Sequence, residues 1–264
     1  MTQHTNGSRI VVTGANSRSG RVLLSALGGA ATALVRHNTG VQASTVIEDW
    51  TASDAAREAL AGADIVVHLA SNFGAPSFQD YLEGTVATTR IVVQTVQPGT
   101  PIVYLSQLGA DRSSGNWYER AKGLAEDVLS EASSTIFRIS AIVGGRDNPQ
   151  PFDHMVRGAE AGQPVPIPGD GTQLFRPIHI DDVVAAIVSA CRNGGPSGTF
   201  DLVGPDTRSM QGWVDLANGA PTATITRTDL PPEIDDLLSR PSAVGDPAAF
   251  VEAFPTIALT PWRP

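Results

Sequence analysis

A tyrosine and a lysine lie four residues apart in the segment Tyr118-Glu119-Arg120-Ala121-Lys122. Residues four apart share one face of a helix, so this spacing places a phenol beside an ammonium group. An ordinary tyrosine has a pKa of about 10, which is high for proton transfer at neutral pH, and a neighbouring positive charge lowers it. The pair is a candidate for general acid–base catalysis, with Lys122 assisting proton transfer by Tyr118. The alternative is an exposed helical pair with no chemical role.

A segment of small residues near the start of the chain predicts a ligand-binding turn. It follows an apolar run and precedes a helical segment, as Thr13-Gly14-Ala15-Asn16-Ser17-Arg18-Ser19-Gly20. Glycines there let the backbone approach a pyrophosphate, which rests on the amides of the helix N-terminus. The predicted dinucleotide contacts are Gly14, Asn16, Ser17, Arg18, Ser19 and Gly20. Ser17 replaces the middle glycine of the usual pattern, and a tight turn without a ligand is the alternative.

The end of the second predicted strand bears on the choice of dinucleotide. An acidic residue usually holds the ribose 2′-hydroxyl of NAD at this point, but here the strand runs into Val35-Arg36-His37. The guanidinium of Arg36, or that of Arg18, can pair with a 2′-phosphate. We therefore expect NADP as the cofactor and keep NAD as the alternative. The non-functional explanation is a solvated surface arginine.

Buried strands alternating with helices must position these residues. The strands are predicted at Arg9–Thr13, Ala31–Val35, Ser44–Ile47, Asp64–Leu69, Pro101–Ser106, Thr135–Val143 and Thr199–Val203, and the main helices at Gly20–Leu27, Ser53–Ala61, Leu82–Val96, Trp117–Ala132 and Asp181–Cys191. This order predicts an α/β fold with a doubly wound parallel sheet of the Rossmann type. We expect an NAD(P)-binding domain over residues 1–144. A smaller C-terminal substrate lobe would cover 145–264, with about 176–204 returning to the main sheet.

Composition excludes several other classes of function. The 264 residues carry a net charge of −9, which argues against nucleic acid or an anionic membrane as the main partner. The apolar runs are too short to cross a bilayer, and the polar N-terminal segment does not resemble a signal peptide. A single cysteine excludes a cysteine-cluster metal site, and we expect no metal. A cytoplasmic protein with a small-molecule substrate is the resulting expectation.

Motifs along almost the whole chain resemble the extended and atypical branches of the short-chain dehydrogenase/reductase superfamily. These branches include NAD(P)-dependent epimerase/dehydratase-like, NmrA-like and complex-I-subunit-like NAD(P)-binding proteins. The matching segments are the Thr13–Gly20 loop, Asp49-Trp50, Asp64–Ser71, Gly84-Thr85, Val103–Ser106, Tyr118 with Lys122, Pro177–Val183 and Thr199–Gly204.

The resemblance implies further cofactor contacts. They comprise Asp49 near the adenine amino group, the adjacent Trp50, and Leu69, Ala70 and Ser71 along the cofactor. Tyr118 would be the proton donor or acceptor, and Lys122 would also hydrogen-bond the cofactor ribose. A homodimer through the helices Leu82–Val96 and Trp117–Ala132 is a further expectation by analogy.

The chain departs from the epimerase pattern at positions that contact substrate. The later of two hydroxyl residues after the fifth strand falls on Leu108, so Ser106 is the nearest substitute that could steady the reacting oxygen. The alternative for Ser106 is a strand-end serine that caps backbone groups. An arginine typical of nucleotide-sugar enzymes is replaced by Phe175. These losses argue against a nucleotide-sugar substrate.

Together these features predict an NADPH-dependent oxidoreductase of the ketoreductase type that acts on a small organic carbonyl or alcohol. Tyr118 would be the general acid/base, and Lys122 and Ser106 would assist it. Two alternatives stay open. One is an epimerase, isomerase or dehydratase that retains its NAD(P), and the other is a non-catalytic module that senses NAD(P).

Overall fold

The structure is a computed structural model that describes residues 8–144, 151–167, 169–192, 194–219, 225–226, 236 and 244–262. Its strands are β1 (Ile10–Thr13), β2 (Thr32–Leu34), β3 (Thr45–Ile47), β4 (Ile65–His68), β5 (Ile102–Gln107), β6 (Ser134–Ile139), β7 (Ile142–Val143), β8 (Val165–Pro166), β9 (Leu174–Phe175), β10 (Ile178–His179), β11 (Gly198–Leu202), β12 (Arg208–Ser209) and β13 (Ile225–Thr226). Its helices are α1 (Arg18–Ala26), α2 (Asp54–Ala61), α3 (Phe78–Tyr81), a π-helix (Leu82–Ala87), α4 (Thr88–Thr95), α5 (Trp117–Leu129), α6 (Pro151–Glu160), α7 (Ile180–Arg192), α8 (Met210–Asn218) and α9 (Ala248–Ala253).

Seven strands form the main sheet in the order β11-β6-β5-β4-β1-β2-β3. The pairs joining β3, β2, β1, β4 and β5 are all parallel. Every residue of β1 and β4 is buried, as expected for central strands covered by helices on both faces. The predicted doubly wound, Rossmann-like fold is confirmed.

The strand order reverses between β1 and β4, which is where open α/β sheets bind their ligands. The register pairs Thr13 with His68, so the two strands end side by side. The chain leaves β1 through Gly14 and leaves β4 through Leu69. The predicted cofactor segments therefore start from neighbouring points at one edge of the sheet.

A π-helix interrupts the predicted Leu82–Val96 helix and was not expected from the sequence. It lies between α3 and α4 and spans Leu82–Ala87. Thr88 and Thr89 donate their hydroxyls to the carbonyl of Thr85, at 2.9 and 2.7 Å, and side-chain bonds of this kind compete with the regular helical pattern. A Cβ at Gly84 would collide with the side chain of Asn72, so only glycine fits there.

The chain divides into two compact units. Unit 1 comprises residues 1–138 and 183–200, and unit 2 comprises residues 139–182 and 201–264. The expected boundary between 144 and 145 falls beside residues 145–150, which lie outside the described part of the chain, so that division stays a prediction. Unit 2 has its own aromatic cluster around Trp262. The ring centroids of Trp213 and Phe152 lie 5.1 and 5.4 Å from that of Trp262.

Candidate active site

The turn after β1 packs directly against the chain leaving β4. Gly14 has a φ of +64°, and a Cβ at this residue would lie 2.6 Å from the backbone nitrogen of Ala70. A Cβ at Gly20 would lie 2.7 Å from the carbonyl oxygens of Gly14 and Ala15. Glycine is therefore required at both positions, one for the turn and one for close packing of α1 on it.

Ser17, which replaces the middle glycine, begins α1. Its hydroxyl accepts a hydrogen bond of 3.1 Å from the amide of Gly20, and its extended backbone is typical of an N-cap. Arg18 and Ser19, the first two residues of the helix, are buried. The predicted loop therefore leads into a capped helix N-terminus, the feature that favours a phosphate.

The side chain of Asn16 forms hydrogen bonds with the neighbouring loop. Its Nδ2 donates to the carbonyl of His37 at 2.6 Å, and its Oδ1 accepts from the hydroxyl of Thr39 at 2.8 Å. Arg21 joins the same contact by donating to the backbone oxygens of Asn16 and Thr39, at 3.2 and 2.9 Å. These bonds hold the loop after β1 against the loop after β2.

The loops after β2 and β3 bring together the residues predicted to contact the adenosine part of a cofactor. Arg36 is exposed, and its carbonyl accepts a hydrogen bond of 3.1 Å from the amide of Asp49. Asp49 has a φ of +47°, while Trp50 is buried in the core. The carboxylate of Glu48 accepts from the amide of Asn38 at 3.1 Å. An acidic side chain therefore does lie close to the end of β2. It belongs to Glu48, which follows β3, and it was missed in the sequence.

Tyr118 and Lys122 lie on the first two turns of α5. The helix is capped by Asn116, whose side chain accepts from the amides of Tyr118 and Glu119 at 3.0 and 3.3 Å. Lys122 is buried, and its Nζ donates a hydrogen bond of 2.8 Å to the carbonyl of Leu105 near the end of β5. The same Nζ lies 5.7 Å from the centroid of the Tyr118 ring.

Burial shifts the pKa values of both groups against ionisation. It lowers the pKa of Lys122 to about 7, although the carboxylate of Glu126 opposes this effect. It also raises the pKa of Tyr118 above its ordinary value, as does the neighbouring Tyr81, whereas a hydrogen bond with the Ser71 side chain lowers it. The expected lowering of the Tyr118 pKa by Lys122 is not what these surroundings produce, because burial is the larger effect.

Aromatic rings surround the Tyr118 side chain. Phe73 meets it edge-on, with ring centroids 5.1 Å apart and planes at 80°, and Phe73 is itself 48% exposed. The buried ring of Tyr81 lies 6.1 Å away on another side. An apolar group bound beside Tyr118 would therefore contact Phe73.

Ser106 lies on β5, but its hydroxyl is engaged elsewhere. It is buried and donates a hydrogen bond of 2.5 Å to Oε1 of Glu126. Arg138 binds the same carboxylate with two contacts, Nε to Oε1 at 3.0 Å and Nη2 to Oε2 at 2.5 Å. This arrangement occupies the proton that Ser106 was expected to offer to a substrate oxygen. Leu108, two residues further on, is buried and has no hydroxyl to replace it.

His68 is a core histidine with both ring nitrogens satisfied. Thr89 donates its hydroxyl proton to the carbonyl of Thr85 at 2.7 Å, so His68 Nε2 must donate to Thr89 Oγ1 at 2.9 Å. Nδ1 then accepts from Thr13 Oγ1 at 2.7 Å, and Thr13 accepts from the amide of Ala70 at 3.2 Å. Burial, helped by the charge of Lys122, lowers the pKa of His68 to about 3.

Within the described residues, no group of three or more His, Cys, Asp or Glu side chains is placed to hold a metal ion. No helix in the described part of the chain has both the length and the apolar character needed to cross a bilayer.

Comparison with known proteins agrees with the resemblance seen in the sequence. Residues 109–202 match the NAD dependent epimerase/dehydratase family. The matched segment contains both Tyr118 and Lys122. A second similarity is to the Arabidopsis thaliana protein named NADH dehydrogenase [ubiquinone] 1 alpha subcomplex subunit 9, mitochondrial, at 30% identity over 164 residues. The match covers 58% of this chain and 39% of the length of that relative.

Solved structures with the same fold include proteins bound to NAD. MoeE5 in complex with UDP-glucuronic acid and NAD has a TM-score of 0.76 and 20% identity, covering 96% of this chain and 94% of that one. A variant of UDP-glucuronic acid 4-epimerase from Bacillus cereus, in complex with UDP-4-deoxy-4-fluoro-glucuronic acid and NAD, has a TM-score of 0.74 and 18% identity, covering 96% of this chain and 95% of that one. At these identities the likeness establishes the fold.

Proposed function

We propose that this protein is an NAD(P)-dependent enzyme that moves a hydride to or from a carbon bearing oxygen, with Tyr118 transferring the proton. The observation that carries the proposal is the buried Lys122 ammonium, bonded to the Leu105 carbonyl and 5.7 Å from the Tyr118 ring. A buried lysine has a high desolvation cost, and a helical surface pair with no role would avoid that cost by facing water.

The residues near the sheet switch point fit a dinucleotide. The backbone packing at Gly14 and Gly20 leaves room for no side chain, and the turn leads into a helix N-terminus capped by Ser17. Gly14, Asn16, Ser17, Arg18, Ser19 and Gly20 would hold the pyrophosphate. Arg36, Asp49 and Trp50 would contact the adenosine part, and Leu69, Ala70, Ser71 and Lys122 would contact the nicotinamide half.

In the proposed reaction the chain supplies orientation and the proton. When bound, the reduced nicotinamide supplies a hydride to the carbonyl carbon and is thereby oxidised. Tyr118 gives its phenolic proton to the carbonyl oxygen, so an alcohol forms, and the phenolate regains a proton from water before the next turnover. A protonated Lys122 stabilises that phenolate, and the aromatic ring of Phe73 limits the access of water.

A small carbonyl substrate is favoured over a nucleotide sugar. Phe175 stands where nucleotide-sugar enzymes typically carry an arginine, and its ring stacks on Phe152 at 6.3 Å. The adjacent Arg176 donates to the carbonyl of Gly204 at 2.6 Å, which commits it to the backbone of unit 2. The exposed ring of Phe73 beside Tyr118 favours an apolar group on the substrate.

The second candidate is an epimerase or dehydratase that retains its cofactor. It is favoured by the family match over residues 109–202 and by the NAD-bound enzymes that share the fold. Both candidates use Tyr118 and Lys122, and they differ in whether the nicotinamide changes oxidation state overall.

The experiment is a pair of assays on one purified preparation. Reduction of a panel of small aldehydes and ketones by NADPH or NADH is followed by nicotinamide absorbance. In parallel, UDP-glucuronic acid and NAD⁺ are incubated with the protein and the sugar nucleotide is analysed by chromatography. We expect carbonyl-dependent oxidation of NADPH. Epimerised or dehydrated sugar without net nicotinamide change would replace this proposal with the second candidate, and tight binding without either reaction would favour a sensing module.

We further propose NADP over NAD, a cytoplasmic location and a homodimer. The first rests on the exposed Arg36 at the end of β2, although the relatives named above bind NAD and Glu48 lies nearby. The location rests on the presence of a single cysteine, which is typical of proteins from a reducing compartment, while the name of the plant relative places that protein in mitochondria. The dimer rests on analogy, and sedimentation of the purified protein would test it.

A further inference from the structure

Tyr118 needs a second hydroxyl beside it, because the oxygen that receives its proton must be held in place while negative charge develops. The two expected positions do not supply one. Ser106 donates to Glu126 at 2.5 Å, and Leu108 is apolar. The hydroxyl must therefore come from another element that touches Tyr118.

The chain leaving β4 passes Tyr118 at two points. Phe73 contacts the Tyr118 ring edge-on, with centroids 5.1 Å apart. Ser71, two residues earlier, lies close enough for a hydrogen bond with its side chain to lower the pKa of Tyr118. Two residues of the loop after β4, 71 and 73, therefore approach the tyrosine.

The hydroxyl of Ser71 is held loosely by its other neighbours. Its Oγ lies 3.3 Å from the backbone oxygen of Asn72 and 3.3 Å from Oγ1 of Thr85. Both distances are longer than the usual range of about 2.5–3.0 Å for hydrogen bonds between oxygens, in contrast to the 2.5 Å bond of Ser106. The Ser71 proton can therefore turn towards Tyr118 or a substrate oxygen at small cost.

Thr85 holds the segment that carries Ser71. Thr85 is fully buried in the π-helix, and its Oγ1 accepts from the amide of Asn72 at 3.2 Å. The side chain of Asn72 in turn donates to the carbonyl of Asp80 at 2.8 Å, over Gly84. The unexpected π-helix thus anchors the segment that carries Ser71.

We propose that Ser71, on the loop after β4, is a catalytic residue that supplies the second hydroxyl of the Tyr118 site. It donates a hydrogen bond to the reacting oxygen during proton transfer and to the Tyr118 phenolate afterwards, and no bond to Ser71 itself is made or broken covalently. This assignment rests on the proposed function. It adds a role to the cofactor contact expected of Ser71.

The contact itself is tested without cofactor or substrate. Tyrosine labelled with ¹³C at Cζ gives one resonance for each of the 3 tyrosines, and loss of a peak in Tyr118→Phe identifies Tyr118. We expect Ser71→Ala to move the Tyr118 resonance and to leave those of Tyr81 and Tyr104 in place, and Ser71→Thr to restore it. An unmoved Tyr118 resonance in Ser71→Ala would overturn the assignment.

The catalytic role is tested by reduction of para-nitrobenzaldehyde with NADPH. We expect Ser71→Ala to lower kcat by about a hundredfold, the usual effect of removing one donor to a developing oxyanion. Ser71→Thr should recover most of the rate, and the NADPH Kd should change little. Ser130→Ala, an exposed serine at the end of α5, is the matched control with unchanged kcat.

The two proposals fail in different ways. If Tyr118→Phe lowers kcat and Ser71→Ala does not, Ser71 has no catalytic role while the proposed function stands. If neither the wild type nor any variant reduces the aldehyde, this reductase reaction is contradicted. The resonance of Tyr118 still decides whether Ser71 contacts it.

Discussion

Lys122 Nζ donates a hydrogen bond of 2.8 Å to the carbonyl of Leu105, whereas the centroid of the Tyr118 ring lies 5.7 Å from the same Nζ. The lysine is thus tied to the end of β5 rather than to the phenol. Its buried amine has a pKa lowered to about 7, so it takes up or releases a proton near neutral pH. A phosphate or ribose bound nearby would be a natural partner for its charged form.

Alanine should cost more stability at Gly14, in the turn after β1, than at Gly28, although the two glycines have similar φ angles. Gly14 and Gly28 have φ angles of +64° and +61°, but a Cβ at Gly28 meets nothing within 4 Å. We expect Gly28→Ala to lower the free energy of unfolding by about 1 kcal/mol, the cost of the left-handed conformation. Gly14→Ala should lower it at least about twice as much, because the backbone of β1 must also move away from Leu69 and Ala70. Equal losses in urea denaturation would contradict the close packing.

Because His68 is buried, the folded protein should lose stability as the pH falls. The imidazole of the unfolded chain binds a proton below about pH 6.5, whereas the folded protein resists it until about pH 3. The unfolded state therefore holds more protons in this window, and the free energy of unfolding falls as the pH falls through it. We expect His68→Gln to be less stable at neutral pH and to have a shallower dependence on pH between 6.5 and 3. Urea titrations of both proteins at each pH measure these slopes, and equal slopes for wild type and His68→Gln would contradict the prediction.

Substitutions of Glu126 and Arg138 should have non-additive effects on the free energy of unfolding. The Glu126 side chain is 11% exposed, forms an ion pair with Arg138 and accepts a hydrogen bond from Ser106. The Arg138 side chain is 33% exposed. Arg138→Met should lower the free energy of unfolding by about 2 kcal/mol, less than for a fully buried pair because water reaches the guanidinium. Adding Glu126→Met should recover part of that loss, since it removes the unpaired charge. A double variant as unstable as the sum of both single variants would argue against a coupled pair.

Cofactor preference is predicted from Arg36. If its guanidinium binds a 2′-phosphate, Arg36→Ala should weaken NADPH binding about tenfold and leave NADH binding unchanged. Arg90→Ala, at an exposed arginine of α4, is the control and should change neither. Fluorescence titration of each variant with both cofactors measures this. Equal weakening of both, or of neither, would remove Arg36 from the 2′-phosphate site.

Local patterns in the sequence predicted much of unit 1. The alternation of apolar strands and helices located the main sheet, and Gly14 and Gly20 marked the turn that packs against β4. His68 belongs to the predicted apolar strand Asp64–Leu69, and the structure buries it with both ring nitrogens bonded. The four-residue spacing of Tyr118 and Lys122 placed both on one helix that begins at Trp117, as observed.

Other features depend on contacts between distant segments and left weak signals. Glu126 lies four residues after Lys122, on the same face of α5, and this spacing could have shown that a carboxylate faces β5 and Ser106. The carboxylate of Glu48 reaches Asn38 only through the pairing of β2 with β3. The π-helix depends on threonine hydroxyls that bond to the carbonyl of Thr85, and such bonds have no fixed sequence spacing.

The central claim is that Tyr118 transfers the proton in a reaction driven by a bound nicotinamide. The most direct measurement compares wild type and Tyr118→Phe in one preparation for both NADPH affinity, by fluorescence titration, and turnover of the best carbonyl in the panel. We expect kcat to fall about a hundredfold or more with an almost unchanged NADPH Kd, because the phenol acts in the transition state and does not anchor the cofactor. Equal turnover in the two proteins, at the same NADPH affinity, would contradict the account.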